Sequence, residues 1–389
     1  MRNKHTFSFQ EFFAGGGMVR QALGENWDCH FANDFDGKKA LAYQENWGLG
    51  GELVVKDIRD VEPSLLGDNV DLSWASFPCQ DLSLAGNGGG LASKRSGMFF
   101  VFWEKLRSSA TGGRLPKLVV IENVCGLLTS NQGKDFQSVI EKFVQEGYQV
   151  GGLVLDAKEF VPQSRKRVFI IGVRQDKIID STLVSNQPVG DFHTPALIRA
   201  YNQLSKKMKS NWIWYNLPRP KHRKSELIGL LEPMDSVNWD SKEKTQSILS
   251  KMSVVNRAKV QAAQNLKSPT VGALFMRTRR YADEKRVFAE VRFDGISGCL
   301  RTPNGGSSRQ SIIWVHEKQI LSRLLTPRET ARLMGLPDTY KLPKNNNAAL
   351  HLTGDGVVVP VVEHLKNYLL EPLVCNFEIV NSPEKFKFA

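Results

Sequence analysis

A doubly wound, mostly parallel α/β sheet followed by a second, smaller irregular domain is the fold this sequence predicts. Three observations lead there. Up to about residue 175, short apolar runs alternate with helix-length mixed segments, the pattern of strands joined by crossover helices. Glycine, acidic or amide residues stand just after those runs, where such sheets gather their ligands. Past about residue 176 the text turns irregular, basic and aromatic, and helical periodicity returns only after about residue 320.

The elements follow in order. "FSFQEFFAG" reads as a strand entering a glycine turn, and "MVRQAL" as the helix that leaves it. "CHFAND" is a second strand with "KKALAYQENW" as its helix. "NVDLSWASFPC", "KLVVIENV", "GGLVLDA" and "RVFIIGV" supply further strands. "FFAGGG", "ANDFD", "KDIRD", "SFPCQ" and "IENV" therefore fall at strand ends and should meet along one rim. The expected division is residues 1–175, 176–320 and a segment 321–389 that packs back on the first domain.

Composition bounds the function. The 389 residues are 41% hydrophobic and 24% charged, enough for one large core and a smaller unit. No stretch approaches the roughly 20 apolar residues that span a bilayer, and the N-terminus carries no signal-peptide pattern. A cytoplasmic, nucleoid-associated protein is expected. A net charge of +12 favours a polyanionic partner. The five cysteines, Cys29, Cys79, Cys125, Cys299 and Cys375, form no C-x-x-C pair. Reduced thiols fit better than a disulfide or a metal site, and no metal is expected.

At the rim, Phe13, Ala14, Gly15, Gly16 and Gly17 make a turn through which a ligand can approach the backbone closely. The dinucleotide spacing is missing, because Arg20 stands where its last glycine would be. Asp34, about 20 residues on, can accept from ribose hydroxyls, Phe35 offers a flat face to adenine, and Asp57 can accept from the adenine amine. Such a set suits an adenosine ligand without a pyrophosphate, a description S-adenosylmethionine fits. Cys79, after Pro78 and before "QDLSLAGNGGG", serves equally well as a nucleophile or as an ordinary thiol on local sequence alone. Glu122 and Asn123 follow an apolar strand where acid–base chemistry is done, although a capping glutamate would look the same. Arg165 and Arg167, two apart, should share a face and form either an anion clamp or a surface charge run.

Taken in order, "FFAGGG", "NDFD", "KDI", "FPCQDLS", "RSGMFF", "IENV", "QSRKR", "PRETARLMGLP" and "GDGVVVPVV" resemble the cytosine-5 DNA methyltransferases, over about 1–175 and 320–370. The resemblance implies the S-adenosylmethionine-dependent methyltransferase fold, with the middle region as the DNA-recognition domain. It implies that Cys79 attacks carbon 6 of a flipped-out cytosine, which activates carbon 5 for methyl transfer. Glu122 would support protonation at N3, Asn123 would shape the site, Arg165 would contact the base carbonyl, and Arg167 would be the second arginine of that element. Phe13, Gly15 and Gly17 match the methionine-binding turn, and Asp34 and Phe35 the ribose and adenine contacts. Asp57 and Ile58 match the adenine-reading pair, and Pro78, Met98, Asp355 and Val357 match pocket-lining positions. Gln80 and Ser83 fall beside the nucleophile as substrate contacts.

Three positions depart from the usual pattern. Asp34 stands where glutamate is commoner, Met18 replaces a frequent third glycine, and Asp355 sits where asparagine is common. In the middle region Arg277, Arg279, Arg301 and Arg309 are candidate DNA contacts, each more suited, taken singly, to phosphate than to base edges. The implied partner is double-stranded DNA, bound by a monomer and paired in function with a cognate restriction endonuclease. The alternatives are a tRNA cytosine-5 methyltransferase, whose insert would be smaller, and a non-catalytic binding module, which would have lost the cysteine, the glutamate or the glycine turn.

Overall fold

The computed structural model describes residues 6–77, 97–110, 115–223, 225–281, 284–302 and 309–375. Alternating apolar residues start β1 (Phe7–Phe12), and glycines carry it into α1 (Met18–Leu23). Then come β2 (Trp27–Asp34), α2 (Gly37–Trp47), β3 (Leu53–Val55), β4 (Leu72–Ala75) and α3 (Met98–Ser109). Next are β5 (Leu118–Val124), α4 (Lys134–Gln145), β6 (Tyr148–Asp156) and β7 (Lys166–Arg174). Asp36 caps α2 by accepting from the backbone N–H groups of Lys38 and Lys39, which fixes where the helix begins.

The large sheet continues through β8 (Val184–Ser185), the helices α5 (Pro195–Asn202) and α6 (Lys206–Ser210), and β9 (Trp212–Tyr215). Its strand order is β3-β2-β1-β4-β5-β7-β6-β9-β8. β1 to β5 run parallel, whereas β7 lies antiparallel between β5 and β6. The reversal brings the start of β7 to the same rim as the carboxyl ends of its neighbours. Residues 163–167 can thereby join the strand-end turns.

Period-two alternation divides the sheet's side chains between two cores. Phe9, Trp74, Val120 and Ile171 belong to one, shared with α1. Phe12, Val119, Ile121 and Ile170 belong to the other, covered by α3, α4 and α5. On α4, Phe136, Val139, Ile140, Phe143 and Val144 form the buried stripe that a 3.6-residue period requires.

The second unit is more regular than expected. α7 (Lys242–Ser250) and α8 (Val254–Gln264) precede β10 (Thr270–Tyr281), β11 (Glu284–Arg292), β12 (Ser311–His316) and β13 (Gln319–Leu324). These strands form an antiparallel sheet in the order β11-β10-β12-β13. One face packs Leu274, Val291 and Ile313 against α8 residues Val260 and Ala263. The other buries Val271, Ala273, Ile312 and Trp314 in the core that contains Phe9 and Trp74.

The division expected at residues 175/176 needs correcting, because β8 and β9 still belong to the large sheet. The expected end at residue 320 also moves, since β13 runs to Leu324. A helix-period break marked the change in sequence, but short strands such as β9 carry too few residues to show a period.

The chain returns to the first core through α9 (Pro327–Leu333), α10 (Asn346–Asp355), α11 (Val359–Leu365) and α12 (Glu371–Cys375). Trp27 Nε1 donates to Glu371 at 3.0 Å, tying the last helix to β2. At the junction of the two units, Arg323 donates through both terminal nitrogens to Glu329, at 2.7 and 2.6 Å, with both side chains buried. Glu329 also accepts from the Glu232 backbone, so both ends of the insert are held together. Among the described residues, no helix is long and apolar enough to cross a membrane.

Candidate active site

The strand ends meet around a cleft of about 540 Å³. Its cofactor arm begins at the turn after β1. Phe13 has φ 59° and Gly15 φ 57°, so the backbone turns sharply through the left-handed region. Three contacts pin the turn: Ala14 N–H donates to Asn33 O at 2.9 Å, Gly15 N–H to Asp34 Oδ2 at 2.8 Å, and Tyr340 Oη–H to Gly16 O at 2.6 Å. Phe13, Ala14, Gly15 and Gly16 line the cleft. Gly17 does not: it has φ 75°, and a Cβ there would lie 2.4 Å from Trp47 Nε1. Its part is to let α2 pack behind the turn.

Asp34 is buried, and its second oxygen accepts from Asp36 N–H at 2.8 Å. Burial pushes its carboxyl above the usual range, against the pull of Lys39 and the two N–H groups. Phe35 is 70% exposed and lines the same cleft, an uncovered aromatic face beside an acceptor. Asp57 and Ile58 line the cleft as expected. However, Arg59 grips the Asp57 carboxylate through Nε at 2.8 Å and Nη2 at 2.6 Å, holding its pKa down at about 2. Asp57 therefore stays an acceptor with part of its capacity already engaged. Asn33, not singled out in the sequence, donates to Val54 O and Lys56 O and fixes β3 beside β2.

Met98, Asp355 and Val357 complete this arm. Asp355 accepts from Lys39 Nζ at 2.6 Å, a bridge between α2 and α10. Met18, the replacement for a glycine, is buried against Gly356, where a Cβ would sit 2.3 Å from its sulfur. The bulk gained at one position is matched by its absence at the other.

Glu11 is a further cleft residue, one that its place in an alternating strand offers no reason to select. It is fully buried, and desolvation raises its pKa to about 8, with Arg20 and the α1 backbone N–H groups pulling the other way. Its Oε2 has no hydrogen-bond partner among the described residues. A buried, unpartnered carboxyl oxygen in a cleft with an uncovered aromatic face, a ribose-type acceptor and a glycine turn fits S-adenosylmethionine.

The catalytic arm is built on β5 and β7. Their register sets Val124 opposite Arg167, and Arg167 Nε lies 3.1 Å from Glu122 Oε1 with both side chains largely buried. Asn123 donates to Phe77 O at 3.2 Å, anchoring the backbone that leads towards Cys79. Pro78, Cys79, Gln80 and Ser83 lie outside the described residues.

Arg165 and Arg167 both reach the cleft, yet they do different work. Arg165 is buried; it donates to Leu300 O at 2.9 Å, Gly354 O at 3.0 Å and Gly356 O at 2.8 Å. A guanidinium so engaged ties the second unit to the cofactor arm. Arg167, by contrast, is the arginine paired with Glu122. Gln163 reinforces the seam: its amide donates to Leu333 O at 2.9 Å and accepts from Leu300 N–H at 3.0 Å. Among the other candidates, Arg277, Arg301 and Arg309 line a neighbouring groove of about 460 Å³, and Arg279 stands on the exposed part of β10.

Known proteins match this architecture. Type II methyltransferase M.HpaII of Haemophilus parainfluenzae is 26% identical over 376 residues, covering 95% of this chain and 91% of the relative. M.BanI of Aneurinibacillus aneurinilyticus is 27% identical over 417 residues, covering 91% and 94%. The S. pombe Dnmt2 methyltransferase superposes with a TM-score of 0.57 at 17% identity, covering 94% of this chain and 99% of that one, a likeness of fold. The model of the C-5 cytosine-specific DNA methylases matches residues 7–371, and the chain belongs to that family.

Proposed function

We propose that this enzyme methylates carbon 5 of a flipped-out cytosine within one short sequence of double-stranded DNA. Its role would be to protect DNA in a restriction–modification system beside a cognate endonuclease, as a monomer on DNA in the cytoplasm. The observation that carries this reading is the buried Glu122–Arg167 pair in the cleft that also contains Asp34, Phe35 and the glycine turn. The unit spanning 242–324 is the proposed recognition domain.

The turn, Asp34, Phe35, Ile58 and Met98 would hold S-adenosylmethionine, which would supply an electrophilic methyl group when bound. Cys79 forms a bond to carbon 6 through its thiolate while Glu122 supports a proton at N3, and the electron pair released by the addition makes carbon 5 nucleophilic. Arg167 holds Glu122 in place and keeps a positive charge beside the base carbonyl. Asn123 sets the path of the backbone before Cys79. After transfer, a base removes the carbon 5 proton, the electron pair re-forms the ring double bond, and Cys79 leaves by β-elimination. Arg165 positions the site.

Bisulfite sequencing tests the proposal, using DNA from a methylation-deficient bacterial host that expresses the protein or its Cys79→Ser variant. Protected cytosines in one recurring context, absent with the variant, are expected. No protected cytosine from soluble protein that binds S-adenosylmethionine would overturn the DNA reading.

A further inference from the structure

β10 and β11 leave the body of the second unit as a two-stranded ribbon. Leu274, Ala289 and Val291 are buried, but Arg277 to Arg280 and Glu284 to Val287 are exposed on both faces. The register sets Arg279 opposite Arg286, each held by a carboxylate (Glu290 and Glu284), and sets Arg280 opposite Lys285. Like charges directly opposed destabilise a strand pair. A polyanion laid along the ribbon would remove that repulsion, and a duplex major groove, about 12 Å wide, admits a two-stranded ribbon.

The two faces are not equivalent. Alternation places Arg277, Arg279 and Arg286 on one face and Arg280 and Lys285 on the other. On the first face Glu290 receives Arg279 Nη2 at 2.5 Å and lies 3.6 Å from Arg277 Nε. Each of these arginines also lies over a ring, Arg277 over Phe275 at 5.5 Å and Arg279 over Phe288 at 5.7 Å. The three arginines of this face share Glu290 and Glu284 and so keep only about one net positive charge, against two for Arg280 and Lys285 on the other face. Glu290 and the rings instead fix the planes of the guanidinium groups. Fixed planes suit bidentate hydrogen bonding to O6 and N7 of guanine. This face runs on into the 460 Å³ groove lined by Arg292, Arg301 and Arg309, which reaches Ser164 beside Arg165 of the catalytic cleft.

We infer that the Arg277–Arg279 face of the ribbon reads a guanine edge in the major groove, with Glu290 as its positioning residue, while Arg280 and Lys285 on the opposite face contact phosphates. The inference rests on the reading of this chain as a DNA methyltransferase.

The experiment selects duplexes from a random-sequence pool with the full-length protein and its Arg279→Ala, Glu290→Gln and Arg280→Ala variants. Binding of the winning duplex is then titrated against salt. Arg279→Ala should relax the preference for guanine at one position by about tenfold or more. Glu290→Gln should weaken the same preference without removing a cation. Arg280→Ala should leave the selected sequence intact, bind every duplex more weakly, and lower the salt slope by about one. An unchanged sequence with Arg279→Ala, or a uniform loss matching that of Arg280→Ala, would overturn the inference, as would no selected sequence for the parent protein. Because selection needs no methyl transfer, it separates the two readings. A shifted guanine preference in a protein that protects no cytosine would leave the inference standing and remove the reaction.

Discussion

The catalytic rim and the ribbon both present charged side chains, but in opposite physical states. At the rim the charges are buried and tied down: Arg165 by three carbonyls, Glu122 by Arg167, and Asp34 by two backbone N–H groups. On the ribbon they stand in solvent, with Arg279 facing Arg286 and Arg280 facing Lys285. The rim spends folding energy on holding groups still for chemistry. The ribbon pairs Arg279 and Arg286 with Glu290 and Glu284 but leaves Arg280 facing Lys285, a repulsion that a polyanionic partner would relieve. Substitutions at the rim should therefore register in stability, and substitutions on the ribbon should not.

The sharpest break of that comparison is Arg165→Ala. It strips the donors from three carbonyls at about 1–3 kcal/mol each. Thermal unfolding should show a loss of ~4 kcal/mol or more; a loss under about 1 kcal/mol would mean that the seam is not rigid.

Glu11 sets a pH dependence. Its folded pKa of about 8 lies above the ordinary 4.5, so between those values the folded state keeps a proton that the unfolded state has released. Its contribution to stability is complete below pH 4.5 and is lost as pH rises towards 8, at up to about 1.4 kcal/mol per unit. Glu11→Gln should flatten melting curves of the ligand-free protein across that window, and parallel curves for the two proteins would refute the assignment.

A smaller effect separates neighbouring glycines. At Gly15 a Cβ meets nothing within 4 Å, so Gly15→Ala should cost only the left-handed strain, about 1–2 kcal/mol. It should also weaken S-adenosylmethionine binding in calorimetry, because the added methyl enters the cleft. Smallest of all, Arg280→Ala should leave the unfolding free energy within about 0.5 kcal/mol of the parent, since the side chain is exposed on the ribbon.

The rim was legible because strand-end chemistry is local. "FFAGGG", "NDFD" and "IENV" each place a side chain next to an apolar run, and the parallel sheet brings the runs together. What stayed hidden depends on partners far along the chain. Arg165 and Arg167 look equivalent at a spacing of two, and only residues 300, 354 and 356 reveal that one of them is spent on backbone carbonyls. Gly17 looked like a binding glycine because its packing against Trp47 depends on where α2 comes to rest. Glu11 reads as the polar side of an alternating strand until α1 closes over it. The ribbon's arginines read as a surface charge run because neither Glu290 nor the register is visible locally.

The seam at Arg165 also bears on how the enzyme is made. Its acceptors come 135, 189 and 191 residues later in the chain. A growing polypeptide that has just completed the large sheet has a buried-type arginine with nothing to hold and a cofactor cleft lacking one wall. Contacts of such separation form slowly and late. Methylation competence should therefore arrive as one of the last events of biosynthesis, after the second unit has emerged, so an incomplete chain would remain silent on DNA.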